Sequence, residues 1–181
     1  MNTATFHIPR LETARLILRA PDVGDFDAYA GFLAHQRSTG TDDPLTRHTA
    51  WLGFAADLGH WHLRGYGFWV IEEKMSGDTA GMVGFFHPDG WPEPELGWTL
   101  FNGFEGHGLA IEAATRARDF AHDDLGWETL ISVISPDNTR SLALAKKLGA
   151  TFEREWTSPT GEFAHIYRHP PASRTITRDG T

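Results

Sequence analysis

The stretch Glu95-Leu96-Gly97-Trp98-Thr99-Leu100-Phe101, running into Asn102-Gly103-Phe104-Glu105-Gly106-His107-Gly108 and then Leu109-Ala110-Ile111-Glu112-Ala113, decides how this chain is read. The first seven residues have strand composition, and the next seven are a glycine-rich turn. From Leu109 the apolar residues Ala113, Ala117, Phe120 and Ala121 recur at helical spacings of three and four. A helix that begins at Gly108 or Leu109 presents unpaired backbone N–H groups and a positive dipole end, which suits an anion. Gly106 and Gly108 carry no side chain, so the backbone can approach a phosphate closely, and pyrophosphate is the natural ligand. The same glycines also suit a plain tight turn, and a glycine pair alone does not choose between the two.

Other glycine signatures do not fit. A dinucleotide fingerprint needs GxGxxG after a first parallel strand, whereas here Gly103-x-x-Gly106-x-Gly108 follows three strands. The patterns GxxxxGK[ST], HExxH and GxSxG are absent.

Upstream of the junction, Leu16–Arg19 (LILR) reads as a strand, followed by a turn at Pro21, Asp22 and Asp25 and a helix through Tyr29, Phe32 and Leu33. Thr49–Leu63 has apolar residues at helical spacing until Gly65 and Gly67 break it. Gly67–Glu73 and Ala80–His87 form a hairpin around Lys74–Asp78, and Pro94–Phe101 makes it a three-stranded antiparallel meander. Downstream, Thr129–Ile134 is a strand, Asp137 or Asn138 caps a helix over Ser141–Leu148, and Gly149 stops it. Thr151–Trp156 and Glu162–Tyr167 close the chain as a hairpin. The class is α+β, with about seven strands and about four helices. A single domain is expected over residues 1–169, with residues 170–181 a proline-opened polar tail.

The chain has 181 residues, and 16 Lys and Arg against 24 Asp and Glu leave a formal charge of −8. This acidic balance argues against nucleic acid as a main partner. With no cysteine, disulfides, zinc-thiolate sites and a cysteine nucleophile are excluded. No stretch has the length of a signal-peptide core or a membrane span, so a soluble, cytoplasmic protein with no membrane partner is expected. His60-x-His62 lacks the i, i+4 metal spacing and His122-Asp123-Asp124 sits at a helix end, so no metal site is expected.

Three separated segments together resemble the GNAT superfamily of acyl-CoA-dependent N-acetyltransferases, and within it the ribosomal-protein (RimJ/RimL-type) branch. Leu11-Glu12-Thr13-Ala14-Arg15-Leu16-Ile17-Leu18-Arg19 looks like that branch's L-x-T-x-R-L-x-L-R opening. Glu95–Leu100 with Gly106–Ala113 looks like its E-L-G-Y-x-L … G-x-G-Y-A-T-E-A core. Pro136–Ser141 with Lys147-Leu148-Gly149-Ala150 looks like P-x-N-x-x-S … K-L-G-F. The resemblance spans about residues 11 to 168.

It implies a GNAT-like fold with a mostly antiparallel mixed sheet, and acetyl-CoA laid between two splayed central strands, Glu95–Phe101 and Thr129–Ile134. By the resemblance, the amides of Gly106, His107, Gly108, Leu109 and Ala110 hold the pyrophosphate. Trp98 and Leu100 meet the pantetheine arm through backbone groups, Asn138 reaches the same arm, Ser141 lies near the thioester sulfur, and Lys147 meets the ribose phosphate. Two positions depart from the family pattern: Glu105 stands where a Gln or Arg is usual, and Ala145 where many members carry the tyrosine that protonates the leaving thiolate. Ser141 is then the candidate donor.

The chemistry implied is direct acetyl transfer, in a ternary complex, to a primary amine of a protein N-terminus or a small molecule. An amine must lose a proton to attack, and Glu95, acting through water, is the candidate base. A backbone N–H near Leu100 would hold the oxyanion. Residues His35–Gly59 should shape the acceptor pocket, with Trp51, Trp69 and Trp91 as candidate lining residues. The exposed sheet edge is a surface through which two copies could pair. Two alternatives are a non-catalytic CoA-binding sensor of the same fold, prompted by Glu105 and Ala145, and another phosphate-ligand binder sharing the glycine turn.

Overall fold

In a computed structural model, residues 7–35 and 46–171 are described. A single mixed sheet runs in the order β1-β2-β3-β4-β5-β6-β8-β7. Its strands are β1 (Leu11–Glu12), β2 (Leu16–Arg19), β3 (Phe68–Glu73), β4 (Thr79–Phe86), β5 (Glu95–Leu100), β6 (Ile131–Ile134), β7 (Thr151–Thr157) and β8 (Phe163–Arg168). Four α-helices are found among the described residues: α1 (Phe26–Leu33), α2 (Arg47–Arg64), α3 (Leu109–Asp123) and α4 (Thr139–Lys147). The sheet thus has eight strands rather than about seven. The addition is the two-residue β1, too short to carry a period-2 pattern, which pairs Leu11 with Leu18 and Glu12 with Ile17.

Helix α3 lies against one sheet face through Leu109, Ala113, Ala114, Ala117, Phe120 and Ala121, all buried. The four buried alanines among these let the helix backbone come close to the sheet, while Trp69, Ile71, Val83, Phe85 and Leu96 fill the layer beneath. Helices α1 and α2 form a second layer held by Phe26, Ala30, Ala50 and Phe54. Local chemistry sets the ends of these helices. Thr46 accepts from the Thr49 N–H at the start of α2, Gly65 ends that helix with φ of 78°, and Asn138 accepts from the Ser141 N–H to open α4.

The N-terminal strand is anchored to the sheet by charge. Arg19 forks onto the buried Asp25 at 2.8 Å and donates from Nε to Glu72 at 2.5 Å, and the Thr79 hydroxyl donates to Asp25 at 2.7 Å. Desolvation pushes the Asp25 carboxyl up, but these bonds outweigh it and hold its pKa below the usual value.

Two of the register rows govern the site. Gly84 pairs with Phe68 on one side and Gly97 on the other, and Phe86 pairs with Glu95. Directly paired residues point to the same face, so Phe68, Gly84 and Gly97 form one row and Phe86 and Glu95 the next. Gly84 is required there, because a Cβ would stand 2.2 Å from the Gly67 carbonyl oxygen and 2.5 Å from the Phe68 Cα. Backbone, not a movable side chain, blocks the space. Gly84→Ala should therefore lower the unfolding free energy by about 1–3 kcal/mol. Urea denaturation measures this, and an unchanged midpoint would show that β3 and β4 can separate at no cost.

Candidate functional site

Strands β5 and β6 are parallel neighbours that share a single residue pair, Glu95 with Ile131. Past that pair the ladder between them ends, and side chains tie its base. The Glu95 carboxylate accepts from the Val133 N–H at 3.2 Å through Oε1 and from the Trp91 indole N–H at 2.8 Å through Oε2. On the other face, the Ser132 hydroxyl donates to the Leu96 carbonyl at 2.7 Å.

That last bond shows which way β5 is turned. Since the Leu96 carbonyl points toward β6, strand alternation turns the backbone groups of Trp98 and Leu100 to the same side. No pair to β6 covers them. Their side chains pack into the α3-side core.

At the far end of β5 the glycine turn has positive φ at Gly103 (95°), Gly106 (82°) and Gly108 (76°). Gly108 is the N-cap of α3 and no side-chain cap bond closes that helix, so no capping side chain claims the first-turn N–H groups at Leu109 and Ala110. A Cβ on Gly103 or Gly106 would meet nothing within 4 Å, so both border open space.

The turn is held from behind by the N-terminal segment. Arg15 donates from Nη1 to the His107 carbonyl at 2.9 Å and from Nε to Glu112 at 2.6 Å. Glu112 also accepts from the Thr13 hydroxyl at 2.5 Å and the Arg15 N–H at 2.9 Å. Burial pushes the Glu112 carboxyl up, and these donors more than offset it, so its pKa lies below the usual range. Glu105 accepts from the Gly103 N–H at 2.9 Å and stands 4.0 Å from Arg140 of α4. Its charge is thereby directed along the loop and toward a cation.

Glu95 is desolvated, which raises its pKa to about 7, against the lowering effect of the Trp91 and Val133 bonds. It is poised to exchange a proton near neutrality. At the start of α4, Ser141 is half-buried and its backbone N–H is taken by the Asn138 Oδ1 at 3.1 Å. The Asn138 amide nitrogen is not used in that cap. Lys147 is exposed in the last turn of α4. Ala145 is fully buried among Ile134, Ala150 and Tyr167.

The three candidate tryptophans separate. Trp91 meets Glu95 directly. Trp51 stands edge-on to Phe26, 5.0 Å between centroids, on the α1–α2 layer. Trp69 corrects the expectation, because it is fully buried, donates from Nε1 to the Pro9 carbonyl at 2.7 Å, and packs against Trp61, Phe85 and Phe120. It has no surface to offer an acceptor. Of the expected pocket segment His35–Gly59, residues 36–45 lie outside the described residues.

Two polar features escape the sequence reading. Asp57 of α2 is desolvated to a pKa of about 7, with a lowering hydrogen bond from Tyr29. An acid three residues after Phe54 and four before Trp61, on an otherwise apolar helix stripe, was the available signal. The second is His169, 1% exposed, whose Nε2 lies 2.9 Å from the Ser132 Oγ under the fork. Nothing in the sequence marks it. Among the described residues no group of side chains forms a metal site, and no helix is long and apolar enough to cross a membrane.

Comparison with known proteins identifies the family and the fold. The family described as Acetyltransferase (GNAT) domain matches residues 15–151. The crystal structure of an acetyltransferase from Agrobacterium tumefaciens is 38% identical, with a TM-score of 0.82 over 93% of this chain and 98% of that one. RimL, a ribosomal α-N-protein acetyltransferase solved with coenzyme A, is 16% identical, with a TM-score of 0.69 over 87% of this chain and 95% of its own, a likeness of fold alone. The uncharacterized protein YkkB of Bacillus subtilis is 27% identical over 103 residues, 53% of this chain. That match spans 60% of YkkB, less than two thirds of its length. The chain belongs to the GNAT acetyltransferase family.

The Ser132 hydroxyl donates to Leu96, so it accepts from His169, which places the proton on Nε2 of a neutral ring. Desolvation, with Arg118 and His122 nearby, lowers the His169 pKa from 6.5 to about 4. The folded state therefore binds this proton less tightly than the unfolded chain. Stability is present above pH 6.5 and is lost as pH falls toward 4, by up to about 3 kcal/mol from this group. In an NMR titration its ring signals should stay unshifted between pH 8 and 5.5, and a midpoint near 6.5 would refute the buried neutral ring.

Proposed function

We propose that this chain is an acetyl-CoA-dependent N-acetyltransferase that moves an acetyl group to a primary amine of a protein N-terminus or a small molecule, by direct attack in a ternary complex. The observation that carries the reading is the continuity of one open track. It begins at the glycine turn, follows the β6-facing edge of β5 past Leu100 and Trp98, where the ladder to β6 has ended, and ends at Glu95 in the fork.

On this reading the amides of Gly106, His107, Gly108, Leu109 and Ala110 hold the pyrophosphate of acetyl-CoA, with Arg15 fixing the loop from behind. The backbone groups of Trp98 and Leu100 accept the pantetheine arm as an added strand would be accepted, and the amide nitrogen of Asn138 is free to donate to it. Lys147 supplies a flexible cation for the ribose phosphate. Glu95, through a water, takes one proton from the ammonium; the neutral amine nitrogen then bonds to the acetyl carbon as the carbon–sulfur bond breaks, and its next proton reaches the leaving sulfur through the Ser141 hydroxyl, which gives one proton and regains one. A thiol pKa near 8.5 makes coenzyme A a tolerable leaving group even as thiolate. The proposal extends to the ribosomal-protein acetyltransferase branch, supported by the meeting of two of its motifs in space, Thr13 and Arg15 with Glu112.

Glu95 must be ionised to accept a proton, so kcat/KM should rise with pH up to about 7 and then level. Glu95→Gln should lose that limb and about two to four orders of magnitude in rate, while acetyl-CoA still raises the melting temperature. Thiol release at varied pH measures the first, and a thermal scan the second. A stabilising shift with no turnover of any amine would favour the CoA-binding sensor, and no shift with acetyl-CoA or CoA would reject the cofactor site.

The loop anchor is tested separately. Arg15→Ala should weaken CoA binding about tenfold, since it frees the His107 carbonyl and leaves Glu112 without its cation. Isothermal titration with CoA reads this, and an unchanged affinity would show that the turn holds its shape alone.

A further inference from the structure

The sheet face that carries Glu95 is lined by half-buried aromatic rings, and one face of Phe86 is stacked on the buried His60 at 5.8 Å. Phe86 is the cross-strand partner of Glu95. Trp91, from the loop between β4 and β5, is hydrogen-bonded to Glu95 and stands edge-on to Phe86 at 5.3 Å and to Trp156 of β7 at 4.7 Å. Phe68 reaches across the glycine row, so that a Cβ on Gly97 would come within 2.8 Å of its Cζ, and its ring lies 6.3 Å from that of Phe86. Phe68, Phe86, Trp91 and Trp156 are all half-buried, as is Glu95. The rings of Trp69 and Phe85 on the opposite face are fully covered.

Four rings left partly open around one carboxylate have the shape of a recognition surface. The carboxylate has about four lone-pair directions and accepts two protein donors, so it can accept an ammonium as well. Aromatic faces attract a cation and stack favourably with another ring. The acid nearest to Glu95 in sequence, Glu93, is already engaged by Arg168 through two bonds of 2.5 and 2.7 Å and is not left for the far end of a polyamine.

We infer that the acceptor is a primary amine carried on a flat aromatic body, its ammonium on Glu95 and its ring against Trp91 and Phe86. This rests on the acetyltransferase reading and names its substrate class.

The experiment uses the full chain with acetyl-CoA and a thiol readout, and compares phenethylamine and tryptamine with butylamine, spermidine and a short peptide bearing a free N-terminus. The arylalkylamines should show kcat/KM at least tenfold above every other amine, a difference of about 1.4 kcal/mol. Trp156→Leu, which alters the wall without touching Glu95, should raise KM for phenethylamine several-fold more than KM for butylamine, a split that a general structural loss would not produce. Equal or faster turnover of spermidine, butylamine or the peptide would overturn the aromatic acceptor and leave the acetyltransferase reading standing. Turnover of none of the amines would overturn both.

Discussion

The site depends on two parallel strands that touch at one residue pair. Parallel neighbours ordinarily continue their ladder, because each buried N–H and C=O needs a partner. Here β5 and β6 part after Glu95 and Ile131, and the groups nearest the parting point are satisfied by side chains instead. Glu95 takes the Val133 N–H and Ser132 serves the Leu96 carbonyl. The divergence is thus closed by side chains at its base, and beyond it the β6-facing edge of Trp98 and Leu100 forms no ladder pair with β6. Glu95 has two consequences at once: it ties the strands, and its desolvation at the tie moves its proton affinity into the neutral range.

Beneath the fork, the other face is held by a chain of three groups. His169, directly after β8, bonds to Ser132 of β6, which bonds to the carbonyl of Leu96 on β5. The backbone of His169 is itself fixed, its N–H donating to the Leu130 carbonyl at 3.0 Å and its carbonyl accepting from the Thr129 hydroxyl at 3.2 Å. Three strands therefore meet at one buried histidine, and the angle between β5 and β6 is set from below as well as from above. A neutral ring suits this position, since a buried imidazolium would add charge beside Arg118.

What was legible in the sequence is what local chemistry decides. Glycines with no side-chain alternative mark the turn at 103–108, Asn138 announces a helix start, and three β-rich runs in series give the meander. What stayed hidden depends on register and face. Trp69 and Phe68 are adjacent in sequence, yet one is sealed under α3 and the other lies over Gly97, because strand neighbours point to opposite faces. Strand β3 has apolar side chains on both faces, so its composition does not say which tryptophan or phenylalanine reaches a cleft. Trp91 was recoverable through its place four residues before Glu95. His169 was not, because only the pairing of β6 with β8 brings it under the fork.

The two departures from the family pattern acquire a physical reading from their surroundings. Glu105 would repel a pyrophosphate if it stood in front of the turn, but its carboxylate is drawn to the Gly103 N–H and toward Arg140. A carboxylate bound within its own loop orders that loop, and its neighbour on α4 offsets the charge. Ala145 is different in kind, because it is sealed among Ile134, Ala150 and Tyr167. A tyrosine at that position would have to displace packed core atoms before its hydroxyl reached any sulfur, at a cost typical of overpacking, about 1–3 kcal/mol. The α4 face that packs on β6 has therefore been closed to a phenol. On the proposed reading the proton donor to the leaving sulfur is at the helix start, where Ser141 is half-buried with its N–H capped and its hydroxyl in the first turn. That reading separates proton supply to the thiolate from proton removal at Glu95, one proposed for the opening of α4 and the other for the base of the fork.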